Sequence, residues 1–369
     1  MFLPIFDTSL RTTSGTITFT RTFTVSNINS GSGVNPTGLI TVIPPSSLNF
    51  STSGNAFSAT ITIESGNFNV ISNSFSGDVT LTTGTITLNS YSLTCPTFSS
   101  SNSNTRTIDF GSGSISVSGT GTVWNTSTIT NLSVTGTSAV NVTNSTGVAT
   151  TVLSGALNET NSISFNFTAG TYTLTFLGTA GYTAKNVNFT GFAGTLGGTA
   201  SCTVYGSYTV STGMTITASS TTMTFGATSG TKDITTNGKT LDVSLNFNGV
   251  GGTFRLQDAL TMGSTRTCTQ TNGTLDLNGK TLTVGTSYAT AAGTKNLTFN
   301  GGTLVCPTAA ATAFNNVSPT NYTTTAGTGT GKISMTAATA KTFVGGGSTY
   351  NCTLSNDGAG ALTITGSNT

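Results

Sequence analysis

Residues 84–117 read GTITLNSYSLTCPTFSSSNSNTRTIDFGSGSISV, and residues 273–306 read GTLDLNGKTLTVGTSYATAAGTKNLTFNGGTLVC. The two stretches align without a gap over 34 residues, 10 of them identical, at an offset of 189. Ile86, Leu88, Leu93, Ile108, Phe110 and Ile115 fall opposite Leu275, Leu277, Leu282, Leu297, Phe299 and Leu304. These positions stay apolar and alternate with polar ones, which is the pattern of strands with one buried face. Between them, Thr85, Thr87 and Asn89 meet Thr274, Asp276 and Asn278. The first two positions of each set belong on a solvent face. The two asparagines belong at corners, where Asn tolerates left-handed backbone and bonds its neighbours above and below.

A strand–turn–strand unit recurs along the chain, as in TIDFGSGSISV (107–117), ISFNFTAGTYTLTF (163–176) and LTFNGGTLV (297–305). Its turns fall near Gly111, Gly136, Gly170, Gly191, Gly213, Gly230, Gly251, Gly273 and Gly301, about 24 residues apart on average. That is a period for one coil of a solenoid, and eight coils account for the long offset. The predicted fold is all-β, a parallel β-helix or β-solenoid of about 24 residues per coil with an internal duplication of about 190 residues. A row of small tandem β-sandwich modules is the alternative. Residues 56–369 form the predicted β-solenoid rod, with related blocks at about 77–178 and 267–366. Residues 1–55 hold four of the seven prolines, Pro4, Pro36, Pro44 and Pro45, and read as a cap or attachment segment. The pattern runs to GAGALTITGSNT without a polar cap, so a partner or further chain is expected to cover that end.

Composition narrows the function classes. Charged residues make up 6%, histidine is absent, and hydrophobic residues reach 35% with 21 phenylalanines. Alternating apolar residues at that level argue for order over low-complexity disorder. Twelve basic and ten acidic residues are spread thinly, without the clustered Lys and Arg that nucleic acid requires. The opening MFLPIFDTSL has no basic residue before its apolar ones and does not read as a secretion signal. No apolar run approaches a membrane span, so no membrane insertion is expected.

No catalytic, cofactor or metal residues are assigned. Cys95, Cys202, Cys268, Cys306 and Cys352 lack paired spacing, and Cys95 and Cys306 fall opposite Val284 and Val117, so they read as small buried hydrophobes. The acids are Asp7, Glu64, Asp78, Asp109, Glu159, Asp233, Asp242, Asp258, Asp276 and Asp357. They read as isolated outer residues, although adjacent coils could bring Asp242 to Asp258 or Asp276. Without histidine, a Ser-His-Asp triad is impossible within the chain. The runs GVGG (249–252) and VGGG (344–347) lack the Lys-Ser/Thr of a phosphate loop and read as turns. Trp124 reads as core. Tyr91, Tyr172, Tyr205, Tyr208, Tyr288 and Tyr350 are candidate outward contacts for sugars.

The stretches FSSSNSNTRTIDFGSGSISVSGTGTVW (98–124), NGTLDLNGKTLTVGT (272–286) and GTGKISMTAATAKTFVGGGSTY (329–350) resemble the Thr/Gly-rich repeat proteins, structural and tail-fibre-like, of marine and freshwater tailed bacteriophages. The likeness rests on repeat style over most of residues 75–369. It implies a non-enzymatic virion fibre, spike or decoration that assembles in the host cytoplasm and so needs no export signal. The implied partners are copies of itself, as a homotrimer or end to end, other virion proteins, and host surface glycans. The alternative is a bacterial extracellular adhesin or filament subunit at the cell surface. A third reading, a tailspike depolymerase, requires two carboxylates close together.

Overall fold

In the computed structural model the described residues are 77–177, 181–199, 201–309 and 312–369, with the strands Ile17–Phe19, Thr24–Val25, Leu39–Val42, Ser47–Phe50, Thr60–Ile63 and Asn67–Val70. They form a parallel β-solenoid, all-β and without a helix, of about 13 turns with coils of about 22 residues. Every described strand pairing in the two blocks that align is parallel, which overturns the β-sandwich alternative, since sandwiches pair antiparallel strands. The coil averages about two residues less than the expected 24, and its length varies because corners differ while strands stay in register. Val79 pairs with Phe98, 19 residues on, whereas Phe98 pairs with Trp124, 26 residues on.

The chain divides into two compact units, Met1–Tyr182 and Thr183–Thr369, and one of the related blocks falls in each. In the first unit a coil is built from three strands, such as Gly84–Thr87, Ser92–Cys95 and Phe98–Ser99. The next coil repeats them as Arg106–Asp109, Ser114–Val117 and Gly121–Thr126. In the second unit Ser244–Leu256 and Thr267–Asp276 run around a corner and serve two faces, with register shifts at Asn248. Thr281–Thr283 and Thr303–Cys306 lie on the third face. Within residues 1–55, Ile17 pairs with Ile40 and Thr24 with Asn49, again in parallel. The rest of the segment expected to provide attachment lies outside the described residues.

The register reproduces the duplication. Thr85 pairs with Thr107 in the first unit and Thr274 with Asn296 in the second. Leu93 pairs with Ile115, and Leu282 with Leu304. All twelve apolar positions expected to point inward are fully buried. They stack in continuous columns, in which each residue covers the one before, so apolar surface leaves water coil by coil. Trp124 is buried as expected and lies flat against Phe98, with ring centroids 4.7 Å apart.

Corners turn on left-handed backbone. Asn89 and Asn278 have φ of 56° and 49°, as their alignment suggested. Their turns close through Tyr91 N–H to Leu88 O (2.9 Å) and Lys280 N–H to Leu277 O (2.7 Å). Asn278 Nδ2 also donates to Leu256 O of the preceding coil (2.9 Å). At Gly111, φ is +53° and a Cβ would sit 2.2 Å from Asn89 O of the coil below. At Gly121, φ is +70° but nothing lies within 4 Å of the added atom.

Those two glycines separate strain from collision. Gly121→Ala incurs only the left-handed penalty, about 1–2 kcal/mol. Gly111→Ala must also displace backbone and is expected to cost at least about 2 kcal/mol more. Equilibrium denaturation of both variants checks this, and equal losses would contradict the close stacking at Gly111.

Candidate functional site

A continuous polar surface lies on one face of the second unit. Its first outward row, set by strand register, is Thr231, Thr253, Thr274, Asn296 and Thr323. Its second row is Asp233, Arg255, Asp276, Thr298 and Thr325. These side chains bond along the stack. Arg255 Nη2 reaches Asp233 Oδ1 at 2.9 Å, and Gln257 Nε2 donates to the same oxygen at 2.7 Å. Thr323 and Thr325 each donate to Asn296 Oδ1 at 3.1 Å. Asp276 Oδ1 accepts from Asn278 N–H and Asn300 Nδ2, both at 2.8 Å.

Other acids are tied in the same way. Asp242 pairs with Arg266 at 2.6 Å. Asp258 caps a corner, accepting from Thr236 N–H (2.8 Å), Thr236 Oγ1 (3.1 Å) and Asn237 N–H. Asp242, Asp258 and Asp276, which adjacent coils could have paired, each bond to groups of their own: Arg266, the Thr236–Asn237 corner, and Asn278 with Asn300. Asp109 accepts from Gly111 N–H (3.1 Å) and Thr135 Oγ1 (2.8 Å). Asp357 accepts from Lys332 at 2.6 Å and from Ser334 and Ser355. The hydrogen bond from Lys332, then those from the two serines, hold its carboxyl well below the usual range. Asp7 and Glu64 lie outside the described residues.

The tyrosines correct the sequence reading. Tyr172, Tyr208 and Tyr288 are buried, at 2%, 3% and 0% exposure, and cannot be outward sugar contacts. Tyr208 and Tyr288 occupy inward strand positions, and Tyr172 lies just before the strand Thr173–Leu177. Tyr288 lies between Cys268 and Phe314 in its column, stacks on Phe314 at 5.2 Å, and donates its hydroxyl to Gln270 Oε1. Burial pushes the phenols of Tyr208 and Tyr288 up, and that of Tyr172 to about 12. Tyr205 is half-buried. Tyr350 is half-buried too, with its hydroxyl donating to Gly345 O at 2.8 Å. Tyr91 is the exposed member of the six, at 37%, on the Asn89 corner.

The run 249–252 lies within a long strand as an irregularity, and 344–347 forms a corner. Among the described residues no three His, Cys, Asp or Glu side chains are grouped to hold a metal ion. The five cysteines are free thiols, four of them buried and Cys352 half-buried. Burial pushes the Cys95 and Cys268 thiols up, Cys306 to about 12 and Cys352 to about 11. No family model, curated protein or solved structure matches the chain.

Thiols that are buried and protonated are inert. Native protein at pH 8 is expected to show no rapidly reacting thiol with Ellman's reagent, and all five cysteines are expected to react after denaturation. Fast reaction of Cys95, Cys268 or Cys306 in the native state would contradict their place in the core.

Proposed function

We propose that the protein is a non-enzymatic structural component of a tailed-phage particle, a fibre, spike or decoration whose β-solenoid serves as a stiff spacer. A β-solenoid is compatible with a structural rod. The observation that supports the role is where the polar side chains spend their bonds. On the outer faces they bond to an adjacent coil, as in Asn141 Nδ2 to Ser116 Oγ (3.4 Å), Asn166 Nδ2 to Asn141 Oδ1 (2.9 Å) and Asn272 Nδ2 to Asn248 Oδ1 (2.8 Å) of the preceding coil. Such a surface resists shear between coils, and the carboxylates of Asp109, Asp233, Asp242, Asp258, Asp276 and Asp357 hold backbone or neighbouring side chains.

Host contact in this reading is weak and multivalent, carried by hydroxyls and amides repeated at each coil. Tyr91 is the aromatic platform within it, since it is exposed on the Asn89 corner. Aromatic anchors often dominate such contacts, so Tyr91→Ala is expected to weaken binding on a glycan array by at least about fivefold, with thermal stability unchanged. Equal binding by the two proteins would remove Tyr91 from the contact.

Immunogold labelling of particles purified from the source culture tests the role itself. Antibody raised against the whole protein should mark the tail or head projections. Label confined to cell surfaces or to free filaments would overturn the virion reading in favour of an adhesin or filament subunit.

A further inference from the structure

Two buried cations occupy equivalent places in the two related blocks. Arg106 and Lys295 are 0% and 1% exposed, and their numbers differ by the same 189 residues as the aligned stretches. Each starts a strand at an inward position, where an apolar side chain would be expected. The residue stacked before each is glycine, Gly84 under Arg106 and Gly273 under Lys295. The residue stacked after each is bulky and apolar, Leu132 and Tyr322. Both glycines have left-handed backbone, with φ of 86° and 81°.

Their partners also correspond. Arg106 Nη1 donates to Asn104 O, two residues back, at 2.5 Å. Lys295 Nζ donates to Gly293 O, again two residues back, at 2.9 Å. Each then reaches the next coil at the same kind of turn. Arg106 Nη1 meets Thr130 O at 3.1 Å, and Lys295 Nζ meets Thr320 O at 3.2 Å. Both threonines precede a left-handed asparagine, Asn131 with φ 58° and Asn321 with φ 56°. Both turns close in the same way, by Leu132 N–H to Ile129 O and Tyr322 N–H to Pro319 O, each 3.0 Å. The guanidinium adds bonds to Thr128 O (2.7 Å), Ser100 O (3.4 Å) and Ser100 Oγ (2.9 Å). Among the described residues no carboxylate bonds to either cation. A buried charge without a counter-ion is costly unless oriented dipoles replace its water. Here main-chain carbonyls supply them.

We propose that Arg106 and Lys295 fill two copies of one cation-binding cage, built mainly of main-chain oxygens, in which a tethered side chain replaces a free ion and clamps the next coil's Thr–Asn corner. The ligand class is a small organic monocation, guanidinium at the first cage and primary ammonium at the second. Lys341 shows the same principle at another corner, with 2% exposure and bonds to Ala337 O (2.7 Å), Gly360 O (2.8 Å) and Gly358 O (3.4 Å).

Chemical rescue of the full chain tests the cage. Arg106→Gly and Lys295→Gly are each expected to lower the melting temperature by at least about 5 °C. They should also speed amide exchange in the peptides spanning 128–135 and 318–325. Millimolar methylguanidinium should restore Arg106→Gly, and methylammonium should restore Lys295→Gly, beyond sodium chloride at the same ionic strength. Failure of a folded glycine variant to respond, or an equal response to sodium chloride, would overturn the proposal. Arg106→Met and Lys295→Met keep an apolar stem and remove the charge, and carry the test if the glycine variants do not fold. They should lose as much corner protection as expected above, and wild-type melting and exchange in the Met variants would show that packing alone suffices.

Discussion

Parallel, in-register stacking is the constraint on which the rest of the structure depends. Each residue lies about 4.8 Å from its counterpart on the next coil, so the chemistry of one position is imposed on its column. Apolar side chains bury one another, and amides and hydroxyls can bond in ladders. Like charges in a column would repel at short range, and at that distance the interaction is considerable even near a surface. A chain with 6% charged residues avoids most such clashes. Where charges do stack, signs alternate, as along Asp233, Arg255 and Asp276. The ion pairs Asp233–Arg255, Asp242–Arg266 and Asp357–Lys332 each join residues one coil apart. Low charge is thus a requirement of the stack before it is a property of the surface.

The corners obey a second rule. The backbone must turn sharply while remaining close to the coil below, which favours left-handed residues with little bulk. The aligned blocks show which residues satisfy it. Gly84 and Gly273 share positive φ, at 86° and 81°, and so do Asn89 and Asn278. Gly111 falls opposite Asn300, with φ of 53° and 49°, so glycine and asparagine exchange where the conformation is what counts.

This explains what could be read in advance. Alternation identified the inward columns, and the duplication confirmed them position by position, down to the pairing of Leu93 with Ile115 and Leu282 with Leu304. The corner asparagines were legible because few other residues tolerate their backbone. The tyrosines were misread because a phenol suggests solvent or ligand, while this interior holds polar groups of its own, Gln270 and Asn316 among them. The buried cations escaped for a similar reason. Their partners are carbonyls of a corner on the following coil, and nothing in Arg106 or Lys295 alone announces them. The signal was present in the paired blocks, as Gly84 with Arg106 and Gly273 with Lys295, each followed a coil later by Thr–Asn.

The two blocks also bear on function, because they separate what both halves retain from what each changes. Core columns, corner conformations and the buried cation with its glycine are retained. The outward residues are retained in part, as in Thr85 with Thr274 and Thr94 with Thr283, and diverge elsewhere: Asp109 stands opposite Thr298, Thr87 opposite Asp276, and exposed Tyr91 opposite Lys280. In the aligned stretches no acid stands opposite an acid, and most of the shared features are inward or at corners. What the halves have in common is therefore the stack itself, which fits a mechanical role for the repeat. Recognition, in that scheme, belongs to features found in one half only, and the Tyr91 corner is such a feature.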